Sequence, residues 1–264
     1  MENKLIGIAY VNVVLITAIL LTSVIACKKD SSDSTTGSTT TTTTIGAGVP
    51  DIYKKIYGAT SITTDGTYIT IKATSLPDHK SPYYKGTQWA STLYEAYNGT
   101  NPLWSQNPNT ISENDVTYKI PMNPTVASTH SATPLGPMGV ALNGVPIFNQ
   151  YAAGGAALTG EVNSFDEYDG HPQQSGMYHY HAEPYYLTTK NGESSLIGFL
   201  LDGFPVYGPM ENGKTLTNAD LDVYHGHTSA TADYPNGIYH YHITNAAPYI
   251  NGNGFYGTAG TVSQ

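Results

Sequence analysis

The string Gly-x-Tyr-His-Tyr-His occurs twice, at residues 176–181 and 237–242, and each copy closes a series of three blocks that recur in the same order. Residues 139–148 (Gly-Val-Ala-Leu-Asn-Gly-Val-Pro-Ile-Phe) match residues 198–207 (Gly-Phe-Leu-Leu-Asp-Gly-Phe-Pro-Val-Tyr) position for position. Residues 165–171 (Phe-Asp-Glu-Tyr-Asp-Gly-His) likewise match residues 221–227 (Leu-Asp-Val-Tyr-His-Gly-His). Order kept across unequal gaps marks an internal duplication, with one repeat at about 135–187 and a second at about 196–245. The first block predicts a hydrophobic strand, a two-residue turn at Asn-Gly or Asp-Gly, and a second strand. Pro146 and Pro205 lie in that second strand and lack an amide donor, which predicts an edge or a bulge there. Two copies of one unit commonly pack about a pseudo-two-fold axis. The histidine sets then either face each other across the axis or form separate, equivalent sites, and the sequence leaves both arrangements open.

In an extended strand, side chains alternate between faces. His179 and His181 therefore point one way while Tyr178 and Tyr180 point the other, and His240 and His242 repeat the pattern against Tyr239 and Tyr241. Seven of the nine histidines fall between residues 171 and 242. Each repeat supplies Gly-His from a turn and His-x-His from a strand, which makes His171, His179 and His181, and His227, His240 and His242, the candidate metal ligands. Three neutral imidazoles with an open fourth position form the first shell of many zinc sites, and imidazole also suits copper, iron and nickel; copper or zinc is the expected cofactor. His225 and its counterpart Asp169 are further candidates, as extra ligands or as groups that orient a ligand. The competing reading makes the imidazoles structural, hydrogen-bonded to backbone carbonyls. Asp166 and Asp222 read as turn caps. Glu183 follows only the first motif and is a candidate to activate a metal-bound water. The chain has no Gly-x-Ser-x-Gly elbow, phosphate loop or cysteine nucleophile, and no particular enzymatic activity follows from these motifs.

The rest of the chain sets these blocks in a mostly β context. Tyrosine reaches 22, glycine 27 and proline 16 while only 12% of residues are charged, the profile of a loop-rich β protein. The expected fold class is a single mostly β domain, residues 51–264, built of two fused, pseudo-symmetric β repeats with long loops. Residues 61–71 predict a hairpin turning at Asp65-Gly66, residues 116–120 a strand ending at Pro121, and residues 87–98 show weak helical spacing. Eleven basic residues, all lysine, stand against 20 acidic ones, so nucleic acid is not an expected partner. Residues 1–26 read as a lipoprotein signal peptide, because a largely apolar stretch ends in Val24-Ile25-Ala26-Cys27, which resembles a bacterial lipobox. Cys27 is the chain's one cysteine and the expected lipidation site. Residues 27–50, rich in Ser and Thr, read as a flexible tether. The expected location is the cell envelope, lipid-anchored to a membrane outside the cytoplasm.

Taken together, Leu135-Gly136-Pro137, the Asn143-Gly144-Val145-Pro146 hairpin, both Gly-His turns, residues 201–209 and the two Tyr-His-Tyr-His strings resemble the YHYH family of secreted and envelope proteins. The resemblance spans roughly residues 76–244. It also takes in Ser75-Leu76-Pro77-Asp78-His79, which implies a place for His79 near the site. Family members often carry cysteine just before the Gly-His turns; this chain has Tyr168 and Tyr224 in that neighbourhood, so such a disulfide is missing. The expected function is transition-metal binding, with a metalloenzyme as the sharper form. The alternative from another class is a surface module that binds a glycan, another small molecule or a protein through exposed Tyr and Asn side chains.

Overall fold

A computed structural model describes residues 42–252 and 254–264 of the protein. The leader, Cys27 and the tether up to residue 41 lie outside the described residues. Among the described residues no helix is long and apolar enough to cross a membrane.

Fifteen strands, β1 to β15 in chain order, are found among the described residues. The smaller sheet contains β1 (Thr44–Ile45), β2 (Ala59–Thr64), β3 (Tyr68–Ala73), β4 (Val116–Pro121) and β15 (Thr261–Ser263), in that spatial order. Its hairpin turns at Asp65-Gly66 as the sequence predicts, but only Gly66 takes a positive φ (87°). A type I′ turn needs two such residues. Here Asp65 Oδ1 instead accepts from the amides of Thr67 and Tyr68 and closes a wider loop. β1 runs parallel to β2 with Thr44 opposite Ser61, so the fold begins inside the expected tether. The weak helical spacing of residues 87–98 yields one short helix, α1 (Ala90–Leu93).

The larger sheet holds both repeats. The first contributes β5 (Pro137–Ala141), β6 (Pro146–Phe148), β7 (Gly170–Pro172) and β8 (Tyr178–Tyr180). The helix α2 (Tyr185–Asn191) leads into the second repeat, which contributes β9 (Leu196–Leu200), β10 (Pro205–Tyr207), β13 (Gly226–Ser229) and β14 (Ile238–His242). Between β10 and β13 a small ribbon, β11 (Met210–Glu211) with β12 (Lys214–Thr215), projects as a separate hairpin. The spatial order is β13-β14-β10-β9-β5-β6-β8-β7, which reads the same from either end once equivalent strands are matched. β5 and β9 meet antiparallel with Val140 opposite Phe199, two residues at equivalent positions of the repeats. The pseudo-two-fold axis therefore passes between that pair, at right angles to the sheet.

Close backbone contact at the junction requires glycine. A Cβ on Gly198 would lie 2.2 Å from the Val140 carbonyl oxygen, and one on Gly139 would lie 2.5 Å from that of Phe199. Gly198→Ala is expected to destabilise the fold by about 3 kcal/mol through forced strand separation, read as a lower urea midpoint; an unchanged midpoint would contradict this junction.

The hairpin turns differ from expectation. Gly144 and Gly203 take positive φ values of 79° and 82°, whereas Asn143 and Asp202 do not. The amides of Gly144 and Gly203 reach back to the carbonyls of Ala141 and Leu200, the pattern of a longer turn ending in a left-handed glycine. The proline strands are not edges: β6 lies between β5 and β8, and β10 between β9 and β14. Each proline is the first residue of its strand, where a missing amide donor breaks no interior ladder bond, and β10 shifts register against β9 between Val206 and Tyr207, the bulge offered as the alternative to an edge.

Both sheets share one core. Ile62, Ile69, Ile71 and Tyr118 of the small sheet cluster with Val140, Phe199, Val206 and Tyr241 of the large one, all essentially without solvent contact. The tyrosine faces of β8 and β14 point into this core, which turns their histidine faces the other way.

Candidate metal centres

His171 on β7 pairs across the ladder with His179 on β8, and His181 follows at the strand's end. Their Nε2 atoms converge: His179 to His171 is 3.1 Å and His179 to His181 is 3.0 Å. All three rings are buried. The other nitrogen of each ring is held from behind. His179 Nδ1 donates to the Met177 carbonyl (3.1 Å) and His181 Nδ1 to that of Asn149 (2.6 Å). His171 Nδ1 meets the Ser164 hydroxyl at 2.8 Å and the Asn107 side-chain amide at 3.4 Å. A neutral imidazole that donates through Nδ1 keeps only a lone pair at Nε2. Lone pairs facing each other at this distance repel unless a cation lies between them. Two nitrogens bound to one tetrahedral ion at 2.0–2.1 Å stand about 3.3 Å apart, close to the spacing found.

Electrostatics agree with that protonation. Burial holds the His179 ring well below its usual pKa, and the adjacent His171 and His181 push the same way. Burial likewise pulls His181 down to about 4. His179 and His181 therefore stay neutral, the form that binds metal. Glu161, in a short 3-10 turn, places Oε1 3.3 Å from His171 Nε2 but outside the converging set. A cleft of about 280 Å³ opens onto His179, His181 and Glu161, with Leu135, Phe148 and Tyr151 along its walls.

The second repeat rebuilds the arrangement with one addition. His227 on β13 lies opposite His240 on β14, and His242 follows. His240 Nδ1 donates to the Ile238 carbonyl (2.9 Å) and His242 Nδ1 to that of Gly208 (2.8 Å). The Nε2 atoms of His227, His240 and His242 are buried and have no hydrogen-bond partner among the described residues. Orphaned, converging nitrogens are what a shared cation would satisfy. Glu211 completes the set: its Oε2 lies 3.2 Å from His227 Nε2 and its Oε1 3.6 Å from His240 Nε2, close but not aligned as hydrogen bonds. Ligand atoms of all four residues lie within 4.8 Å of one another. The Ser229 hydroxyl donates to Glu211 and fixes it. Burial works against the Glu211 charge, yet that hydrogen bond and the imidazoles hold its pKa below the usual value. Burial takes His240 down and His242 down to about 4.

The tyrosines explain the other half of the motif. The first of each string binds the turn carboxylate: Tyr178 OH donates to Asp166 (2.8 Å) and Tyr239 OH to Asp222 (3.0 Å). The second binds the hairpin turn: Asn143 Nδ2 donates to Tyr180 OH (3.1 Å), and Tyr241 OH donates to Asp202 (2.6 Å). One strand thus ties all three repeated blocks together with its tyrosine face and presents imidazoles on the opposite face. Asp166 and Asp222 also accept from the amides of Tyr168 and Tyr224, the capping role expected of them.

The two triads therefore do not face each other; five interstrand steps between β8 and β14 separate them by roughly 24 Å. Asp169 and His225 lie outside both sets. Each takes a left-handed φ (59° and 75°) and makes the sharp turn into its Gly-His pair. His225 Nδ1 donates to the His242 carbonyl (2.8 Å), so it supports the ligand strand from behind. The glycines serve close approach rather than the bend: a Cβ on Gly170 would lie 2.4 Å from Tyr178 OH. His79 is buried on the tyrosine side of β8, 3.2 Å from Tyr180 OH and with its ring tilted against Tyr168 at 4.4 Å, away from the histidine face. His130 stacks on Tyr224 at 4.3 Å. Glu183 accepts from Thr188 Oγ1 of α2 (2.6 Å) rather than joining a centre. Glu161 and Glu211 escaped the sequence reading. They lie ten and sixteen residues before the Gly-His histidines, at positions the repeat alignment does not equate, so no spacing rule could have found them.

Fold and site together define a β-sheet protein whose duplicated strands each present a buried histidine cluster able to hold a metal ion. The family model described as "YHYH protein" matches residues 117–218 and 210–255, and the chain belongs to that family. No curated protein and no solved structure matches it.

Proposed function

We propose that the protein binds transition metal, copper or zinc, at two separate centres, one formed by His171, His179 and His181 and the other by His227, His240, His242 and Glu211. The observation that carries this reading is the protonation pattern. In each centre carbonyls fix the Nδ1 protons of both strand histidines, so bare Nε2 lone pairs converge in a buried space. Purely structural imidazoles would direct those nitrogens at donors instead. The absence of thiolate from both sets supports a borderline metal that accepts nitrogen and carboxylate ligands. The lipobox-like run ending at Cys27 supports a lipid-anchored place in the cell envelope, where export and metal supply would decide which ion is loaded.

Metal analysis of the intact chain, purified without a polyhistidine tag and incubated with zinc or copper, tests the reading. Close to two ions per chain are expected, falling to one in His179→Ala and one in His240→Ala. A wild-type protein that retains no ion after gel filtration would overturn it.

A further inference from the structure

The two centres are built from equivalent strands, yet their fourth donors differ. A Glu211 carboxylate oxygen lies within 4.8 Å of a ring nitrogen of each of its three histidines, and the carboxylate is pinned by the Ser229 hydroxyl. With it, a divalent ion would have four protein donors and one compensating negative charge. In the other centre no carboxylate joins the three converging nitrogens. Glu161 stands beside His171, 3.3 Å away, on the cleft side. The aromatic ring beside the central histidine differs as well. Phe148 stacks on His179 at 4.0 Å, whereas its counterpart Tyr207 meets His240 edge-on at 5.2 Å and is tied through its hydroxyl to Thr231 and Asp233.

Resting on the metal-binding reading, we infer that the two centres do different work: the Glu211 centre holds its ion with protein donors alone, and the His171 centre is where an exogenous ligand binds. The ligand class follows from the surroundings. Three neutral imidazoles leave the full charge of a divalent ion uncompensated, which makes it the stronger Lewis acid of the two and favours an oxygen donor. The Glu161 carboxylate beside it accepts a hydrogen bond and disfavours a bare anion. Leu135, Phe148 and Tyr151 give the cleft an apolar wall, and none of its lining residues is a lysine. These features select a protic oxygen donor, either water or the hydroxyl of a small, uncharged organic molecule. Glu161 acts as a positioning residue that holds the proton of that hydroxyl.

Cobalt(II) substitution with azide as the probe tests this, because tetrahedral and five-coordinate cobalt absorb differently. The intact chain loaded with two cobalt ions is titrated with azide, alongside His179→Ala, His240→Ala and Glu161→Gln. Azide is expected to change the spectrum of one ion of the two. The response should persist in His240→Ala and vanish in His179→Ala. Glu161→Gln, a partly exposed and conservative change that should leave folding intact, is expected to tighten azide roughly five-fold by removing a nearby negative charge. Phenol should compete with azide in the wild type and compete less well in Glu161→Gln. Two bound cobalt ions with no azide response, an equal response from both, or a response that follows His240 would each overturn the division of labour while leaving metal binding intact. Failure to bind cobalt, zinc or copper at all would overturn both.

Discussion

Chelation at neutral pH is expected to lower the melting temperature by roughly 10 °C for each centre emptied. Metal supplied at a thousand times its dissociation constant stabilises the folded state by about 4 kcal/mol per site. In a domain of this size each kcal/mol moves the melting point by about 2–4 °C. The double variant His179→Ala/His240→Ala should not respond to chelation at all; a response there would place the metal elsewhere. Acid should act on the same nitrogens. Burial takes His181 and His242 down to about 4 in the fold, from 6.5 in the unfolded chain. Between those values the unfolded rings carry protons and the folded rings do not, so stability rises with pH across that window. The metal-free protein should therefore hold a constant urea midpoint above about pH 7. It should then weaken as pH falls from 6.5 towards 4, by roughly 3 kcal/mol per ring at the limit. The loaded protein should lose stability more steeply over that range, since protons also displace the ion. A midpoint independent of pH from 7 to 4 would contradict buried neutral imidazoles.

Asp202→Ala is expected to cost about 4 kcal/mol, the largest effect of any single substitution away from the ligands. Its carboxylate is fully buried and accepts from Tyr241 OH (2.6 Å), Gly257 N (2.9 Å) and Phe204 N (3.2 Å). Truncation strands three buried donors, each carrying a desolvation cost of about 1–3 kcal/mol. The counterpart Asn143 donates from one amide nitrogen to Tyr180 OH (3.1 Å) and Asp78 (3.2 Å), and its carbonyl oxygen has no partner among the described residues. Asn143→Ala should accordingly cost less, about 2 kcal/mol. Chemical denaturation of the two variants reads the order, and the reverse order would show that the hairpin turns are not held by these bonds. Asp202→Ala should retain its ion at the His171 centre, whose strands it does not touch.

What the sequence made legible is what local geometry determines. Alternation along β8 and β14 separated imidazoles from phenols without help from the rest of the chain, and the ordered blocks disclosed the duplication. Features set by distant partners were hidden. Glu161 and Glu211 reach their centres from unrelated loops, so neither motif nor spacing marks them. The edge that the proline strands offered as one of two readings, beside a bulge, failed because their outer neighbours in the sheet come from about thirty residues further on, with β8 pairing β6 and β14 pairing β10. The family resemblance implied a place for His79 near the site, but it packs beside Tyr168 on the tyrosine side, and only the tertiary fold decides which face of β8 it meets. Thr44 continues the threonine run before it and Ile45 is a single apolar residue, so composition does not mark β1; an exposed edge strand needs only backbone partners.

The pairing of Val140 with Phe199 gives the chain a history as well as a shape. Equivalent residues that meet across a perpendicular two-fold axis are what a symmetric homodimer presents at its interface. The large sheet can thus be read as an ancestral dimer of one β5-β6-β8-β7 unit, joined covalently through α2. Fusion would have released each half from the need to match the other, since one contact strand no longer had to pair with its own copy. Glu211 and Tyr207 on one side, and Glu161 and Phe148 on the other, are the divergence that such a release permits.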